Sequence, residues 1–256
     1  AGMALLLLPA PRDPSVITSA AVDGFVVYCL PADSEALGAV TARGLPYVLV
    51  EQAGGGDAPR VDIDDRAGAR EAAAHLLSLG HERVGVLSLE LTLPRRRGAV
   101  TARRERDATF VPPLNRLAGY REAVTAAGLT PSRVLRVVEA RNNTPGEGEL
   151  LALELLRAPD APTALLCMSD QLALGALEAA RTLGLSVPGG LSVVGFDDVP
   201  AAAVAGLTTV HQPTVEKGRL AGSLLLARLA GEEPSAPPAL LPTRLVLRRT
   251  TGVQTS

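Results

Sequence analysis

The sequence predicts an α/β protein whose strands run parallel in sheets covered by helices on both faces. Three observations predict it. Short runs rich in Val and Leu recur along the 256 residues. They lack the apolar–polar alternation of a half-exposed strand. The stretches between them carry Ala, Leu, Glu and Arg at helical spacing. Right-handed crossovers then make the arrangement doubly wound.

In chain order, strands are expected in MALLLLP (3–9), VDGFVVYCL (22–30), PYVLVEQ (46–52), ERVGVLSLE (82–90), RVLRVVE (133–139), TALLCMS (163–169) and LSVVGFDD (191–198). Helices are expected over Ser34–Arg43, Arg66–Leu79, Leu114–Ala127, Pro145–Arg157, Gln171–Leu183 and Val215–Leu229. Gly80, Gly128 and Gly184 follow three of them as C-cap residues. A Pro-rich linker, GEEPSAPPALLP (231–242), leads to a last strand within PTRLVLRRTTG (242–252). The chain opens directly on a strand, so a first strand and helix are expected upstream of Ala1.

Composition narrows the function. Apolar residues make up 47% and charged residues 20%, which suits a globular domain with a sizeable core. Lys and Arg number 25 against 27 Asp and Glu, so the basic excess of a nucleic-acid-binding surface is missing. Cys29 and Cys167 sit in apolar runs and read as buried hydrophobes in a reducing compartment. His75, His81 and His211 are scattered, with no ligand spacing, so neither a metal nor a cofactor is expected. AGMALLLLPAP is too short to span a membrane and has no basic leader, so a cytoplasmic location is expected.

Catalytic patterns do not occur: there is no nucleophile elbow, P-loop or dinucleotide fingerprint, and Gly54–Gly56 reads as a polar loop. The chain is therefore not expected to be an enzyme. The stretch 91–115 carries Arg95, Arg96, Arg97, Arg103, Arg104 and Arg106, with Arg116 just beyond. Such a stretch could grip an anion or nucleic acid, is more often a solvated loop, and at this length could form a flap over the site.

What recurs is a polar group at the carboxyl end of an apolar strand. PYVLV ends in Glu51 and Gln52, TALLCM in Ser169 and Asp170, and LSVVGF in Asp197 and Asp198. In open parallel sheets, ligands bind outside the carboxyl ends of the strands, where such acceptors could hold the hydroxyls or amines of a small molecule. Each acid alone could instead cap a helix.

The ordered motifs DDRAGAR (64–70), LGHER (79–83), RLAGY (116–120), SDQLALG (169–175), VVGFDD (193–198) and LTTVHQP (207–213) resemble the lactose-repressor (LacI/GalR) regulators, in their effector-binding core. The resemblance runs over nearly the whole chain. It implies a periplasmic-binding-protein-like fold of two similar lobes: 1–63 with 213–240, and 64–212 with 241–256. It implies an effector held in a cleft between them, homodimers, and operator DNA bound through an N-terminal helix-turn-helix domain that is not in this chain. Arg116 matches the ligand-gripping arginine of the family and Asp197 its acceptor. Ser169 stands where Asn is frequent, followed by Asp170, and Glu51 stands where many relatives have Asp. Asp65 and Gln212 fall at lobe crossings, as ligand contacts or hinge residues, and Phe196 could equally stack on a sugar face or be a core aromatic. The implied effector is a neutral sugar or polyol. The alternative on the same fold is a solute-binding protein that feeds a transporter.

Overall fold

The computed structural model describes residues 4–8, 13–53, 56–232 and 239–254. In chain order its elements are α1 (Ser15–Ser19), β1 (Phe25–Tyr28), α2 (Glu35–Ala42), β2 (Tyr47–Val50), β3 (Arg60–Ile63), α3 (Asp65–Ser78), β4 (Val84–Ser88), β5 (Gly98–Ala99), α4 (Ala102–Arg106), α5 (Val111–Ala126), α6 (Pro131–Val134), β6 (Leu135–Glu139), α7 (Pro145–Leu156), β7 (Ala164–Cys167), α8 (Asp170–Thr182), β8 (Ser192–Asp197), α9 (Pro200–Ala205), β9 (Thr208–His211), α10 (Thr214–Leu229), β10 (Ala239–Leu241) and β11 (Arg244–Val246).

Two compact units divide the chain: Ala1–Ile63 with Thr109–Val111 and Pro213–Leu241, and Asp64–Ala108 with Pro112–Gln212 and Pro242–Ser256. The first holds a sheet in the order β1-β2-β3-β10, parallel throughout. The second holds β11-β9-β8-β7-β4-β6-β5. Its five inner strands are parallel, and both edge strands run antiparallel to their neighbours.

Sequence explains the interior of the second unit. Every residue of β4 and β7 is buried, as expected of strands covered on both faces. Leu151, Leu155, Leu165, Leu172 and Ala176 share one core. Helices α7 and α8 approach closely because Gly148 and Gly175 carry no Cβ; a methyl there would overlap the Leu172 and Pro145 carbonyls respectively. Ser34, Asp64, Thr101, Thr144 and Ser169 each accept a backbone N–H as helix N-caps. The first unit is smaller, with Val27, Val40 and Leu49 on one side of its sheet and Val48, Val61 and Ala221 on the other.

Several expectations are corrected. Within MALLLLP, residues 4–8 form no strand, and Leu5 and Leu7 are exposed; Met3 and Pro9 lie outside the described residues. Strands β3, β9 and β10 arise where none was expected. Charged residues break the apolar run of β3, Thr occupies two positions of β9, and β10 is the end of the Pro-rich stretch. Residues 233–238 of that stretch, and 54–55 of the glycine loop, lie outside the described residues. The arginine-rich stretch is exposed along much of its length, as a solvated stretch would be, but it is not irregular throughout. It contains β5 and α4, and Arg95, Arg97, Arg103 and Arg104 pair with acids of their own unit. Arg104 donates to the fully buried Glu139 (Nη2–Oε1 2.7 Å). Arg97 reaches Glu147 (Nε–Oε2 3.0 Å), and Arg95 lies 3.1 Å from Glu90.

Candidate functional site

In the second unit, β7, β8 and β9 are neighbours, and their carboxyl ends bring residues far apart in sequence together. Arg116, on α5, is 4% exposed. Its Nε donates to Asp65 Oδ1 at 2.7 Å, and its Nη1 donates to the Met168 carbonyl just beyond β7. The guanidinium lies over the Phe196 ring, 3.6 Å from its centroid. Burial alone would lower the arginine's pKa, but the charges of Asp65 and Asp197 reverse this and hold it above its ordinary value. The fork is thus permanently charged and fixed in orientation on three sides.

Asp197 ends β8 with φ at 122°, a strained value for a residue other than glycine. Its Oδ1 accepts from Gln212 Nε2 at 2.5 Å. Asp198 follows at φ 61°. Its two oxygens are taken by Arg248 Nη2 (2.6 Å) and His211 Nδ1 (3.0 Å). Burial pushes its pKa up, but these two partners outweigh burial and leave it below the usual carboxylate range.

Of the residues singled out from the sequence, Arg116, Asp65, Phe196, Asp197 and Gln212 therefore form one constellation. Phe196 is fully enclosed beneath the guanidinium, which leaves no ring face for a sugar. Asp170 is also fully buried, and its two oxygens accept from Val199 N (2.8 Å) and Thr209 Oγ1 (2.6 Å). Burial pushes its pKa up to about 6, against the pull of those two bonds. Ser169 caps α8 through Leu172 N (3.1 Å) and donates to Asn143 Oδ1 (2.5 Å).

Glu51 belongs to the first unit. It follows β2 at φ 49° and is 4% exposed. Its Oε2 lies 3.0 Å from Lys217 Nζ, a buried lysine in the first turns of α10 that the motifs did not single out. A lysine near a helix N-terminus opposes the helix dipole, and that conflict is the signal sequence reading could have used. Among the described residues no cluster of His, Cys, Asp and Glu could hold a metal. No described helix is long and apolar enough to cross a membrane.

The family model of the periplasmic-binding-protein-like domain matches residues 73–251, more than half of the chain. An HTH-type transcriptional regulator of Mycobacterium tuberculosis is 43% identical over 93% of this chain and 66% of its own length. The HTH-type regulator IpsA of Corynebacterium glutamicum is 35% identical over 89% and 66%. Among solved structures, a LacI-family regulator from Corynebacterium glutamicum superposes with a TM-score of 0.88 at 34% identity, covering 93% of this chain and 70% of that one. The regulator CelR in complex with cellobiose superposes at 0.74 and 30% identity, covering 93% and 68%. The fold is thus that of a periplasmic-binding-protein-like domain. The chain belongs to the LacI family of transcriptional regulators, as its effector-binding domain. It spans between 58% and 66% of the length of the first curated relatives it matches. Those relatives are regulators rather than transport proteins or enzymes.

Proposed function

We propose that this domain senses a small uncharged polyhydroxy effector, a sugar or polyol, and that Arg116, Asp197, Gln212 and Glu51 contact it. The observation that carries the reading is the buried Arg116, charged, fixed by Asp65 and close enough to Asp197 to feel its charge. A planar donor beside an acceptor suits vicinal hydroxyls, which accept and donate together. Asp65 and Phe196 orient the arginine, and Asp170 and Ser169 shape the neighbouring turns. The cellobiose held by CelR supports the ligand class.

In the whole protein, effector binding selects one lobe arrangement in a homodimer and so alters operator binding through a DNA-binding domain, with coupling of about 1–3 kcal/mol. The protein acts in the cytoplasm and performs no turnover.

The test is a thermal-shift screen with ribose, glucose, cellobiose and sorbitol, followed by calorimetry on the best binder. Expected is saturable binding that Arg116→Lys weakens at least tenfold, because lysine cannot reproduce the fork. No binder in the panel, or equal affinity in the variant, overturns the reading.

A further inference from the structure

At the carboxyl end of the first unit's sheet, three side chains from three elements converge. Tyr28 ends β1, Glu51 follows β2, and Lys217 belongs to α10. Lys217 Nζ is 3.0 Å from Glu51 Oε2 and 5.3 Å from the centroid of the Tyr28 ring. Both members of the ion pair are at least nine-tenths buried. The other carboxylate oxygen, Glu51 Oε1, is buried with no hydrogen-bond partner. Gln52 ties the same two strand ends together, accepting from Leu30 N at 2.5 Å and donating to Ala53 O at 3.0 Å.

A buried acceptor left unmade costs about 1–3 kcal/mol, more when it is charged. Removing one partner of a buried pair is costlier still, so the lysine and the carboxylate must stay together. An orphaned carboxylate oxygen can be relieved only by a donor. A second anion cannot approach it: Glu51 carries formal negative charge there, and Asp62 on β3 is close enough to feel that charge. Lys217 is already engaged, so it offers little compensation to an incoming phosphate or carboxylate.

Resting on the reading of this domain as a sugar sensor, we infer that Lys217 sets effector specificity by fixing the Glu51 carboxylate through Oε2, with Oε1 presented to one hydroxyl of an uncharged ligand. Lys217 is a positioning residue and Glu51 the contact. The subsite admits a neutral sugar or polyol and rejects its phosphorylated and carboxylated forms.

The experiment is a cycle between protein and ligand, on the full-length protein, with the best binder of the neutral panel, its monodeoxy analogues, its phosphate ester and its uronic acid. Loss of one charge-assisted hydrogen bond corresponds to about 10–100-fold in affinity. Wild-type protein should therefore bind one monodeoxy analogue about tenfold or more below the parent, and both anionic forms at least tenfold below it. In Glu51→Gln the parent should fall to the level of that analogue, whose remaining penalty should be no more than about twofold. Lys217→Met should behave like Glu51→Gln, and Lys217→Arg should restore most of the difference, with melting curves confirming that each variant is folded. Deoxy penalties identical in wild type and Glu51→Gln, or an anionic form that binds as well as the parent, overturn this inference alone, provided Arg116→Lys still weakens the parent. Absence of any neutral binder overturns it together with the sensor reading.

Discussion

Truncating Arg116 should damage the second unit as well as its ligand site. The side chain is buried, its Nε bonds the buried Asp65, and its Nη1 bonds the Met168 carbonyl. Arg116→Ala leaves Asp65 as a buried carboxylate stripped of its cation, which costs about 3–5 kcal/mol. For a chain of this size that lowers the melting temperature of the unit by roughly 6–20 °C. Removing the carboxylate at the same time should recover much of the loss, because the double variant no longer buries an unpaired charge. We expect Arg116→Met with Asp65→Leu to be less destabilised than the sum of the two single variants by at least about 2 kcal/mol. Urea denaturation followed by circular dichroism, with all four proteins at one pH, measures the cycle. Additive effects, within about 0.5 kcal/mol, would refute the claim that this pair forms one buried unit.

Three further outcomes follow from the packing and the charges. Burial keeps His75 and His81 below the ordinary histidine pKa, so both protonate more readily when unfolded than in the fold. Their contribution to stability is complete above about pH 6.5 and declines as pH falls below it. His81 bonds Thr163 and Ser192 and meets the Gly252 carbonyl, so melting temperatures at pH 7.5 and 5.5 should converge in His81→Gln, and an unchanged gap would count against this. Asp170 acts in the opposite direction: its pKa, about 6, is raised, so its ionisation opposes folding as pH rises through 6, and Asp170→Asn should flatten that part of the stability profile in urea melts. Gly175→Ala should destabilise by about 2 kcal/mol or more, since its methyl meets the Pro145 carbonyl, whereas Gly222→Ala in α10, which meets nothing, should be neutral or stabilising by up to about 1 kcal/mol in the same thermal melt.

How much of this was legible in the sequence follows from what each signal depends on. The six expected helices all occur with ends within three residues of expectation, because their apolar spacing, their caps such as Ser34 and Thr144, and their C-terminal glycines agree. Strands buried on both faces, such as β7, were legible for the same reason. Strands β3 and β9 were not, since Arg60, Asp62 and the two threonines mask a strand that only its neighbours in the sheet stabilise. MALLLLP misled in the opposite sense: apolar composition alone does not supply a partner edge. At the site, the motifs pointed to Arg116, Asp197 and Gln212, which the fold assembles. The roles of Phe196 and Asp170 could not be read, because whether a side chain faces ligand or supports its neighbour depends on contacts across the chain, such as Thr209 with Asp170. Lys217 was overlooked because one lysine in a helix looks like surface until its carboxylate partner, more than 160 residues earlier, is placed beside it.

The backbone adds an argument that side chains alone do not. Among the described residues the non-glycine positions with positive φ are Cys29, Glu51, Asp197 and Asp198. Each ends or directly follows one of the parallel strands β1, β2 and β8. Such conformations cost of order 1–3 kcal/mol apiece and persist only where the surroundings over-determine them. Three of the four carry acids, and each acid is held by a partner that keeps the strained turn in place: Lys217 for Glu51, Gln212 for Asp197, Arg248 with His211 for Asp198. Positive-φ backbone and partner-held carboxylates therefore coincide at these strand tips. This is the distribution expected if both units were selected to present acceptors in fixed directions at some expense of stability. Glycine at 198 tests the point, because it relaxes the φ penalty while deleting the carboxylate that Arg248 and His211 hold. If strain dominates, Asp198→Gly gains stability; if the charge network dominates, it loses about 1–3 kcal/mol. We expect the loss, since two partners converge on that one side chain, and a raised melting temperature in Asp198→Gly would refute this account of the strand tips.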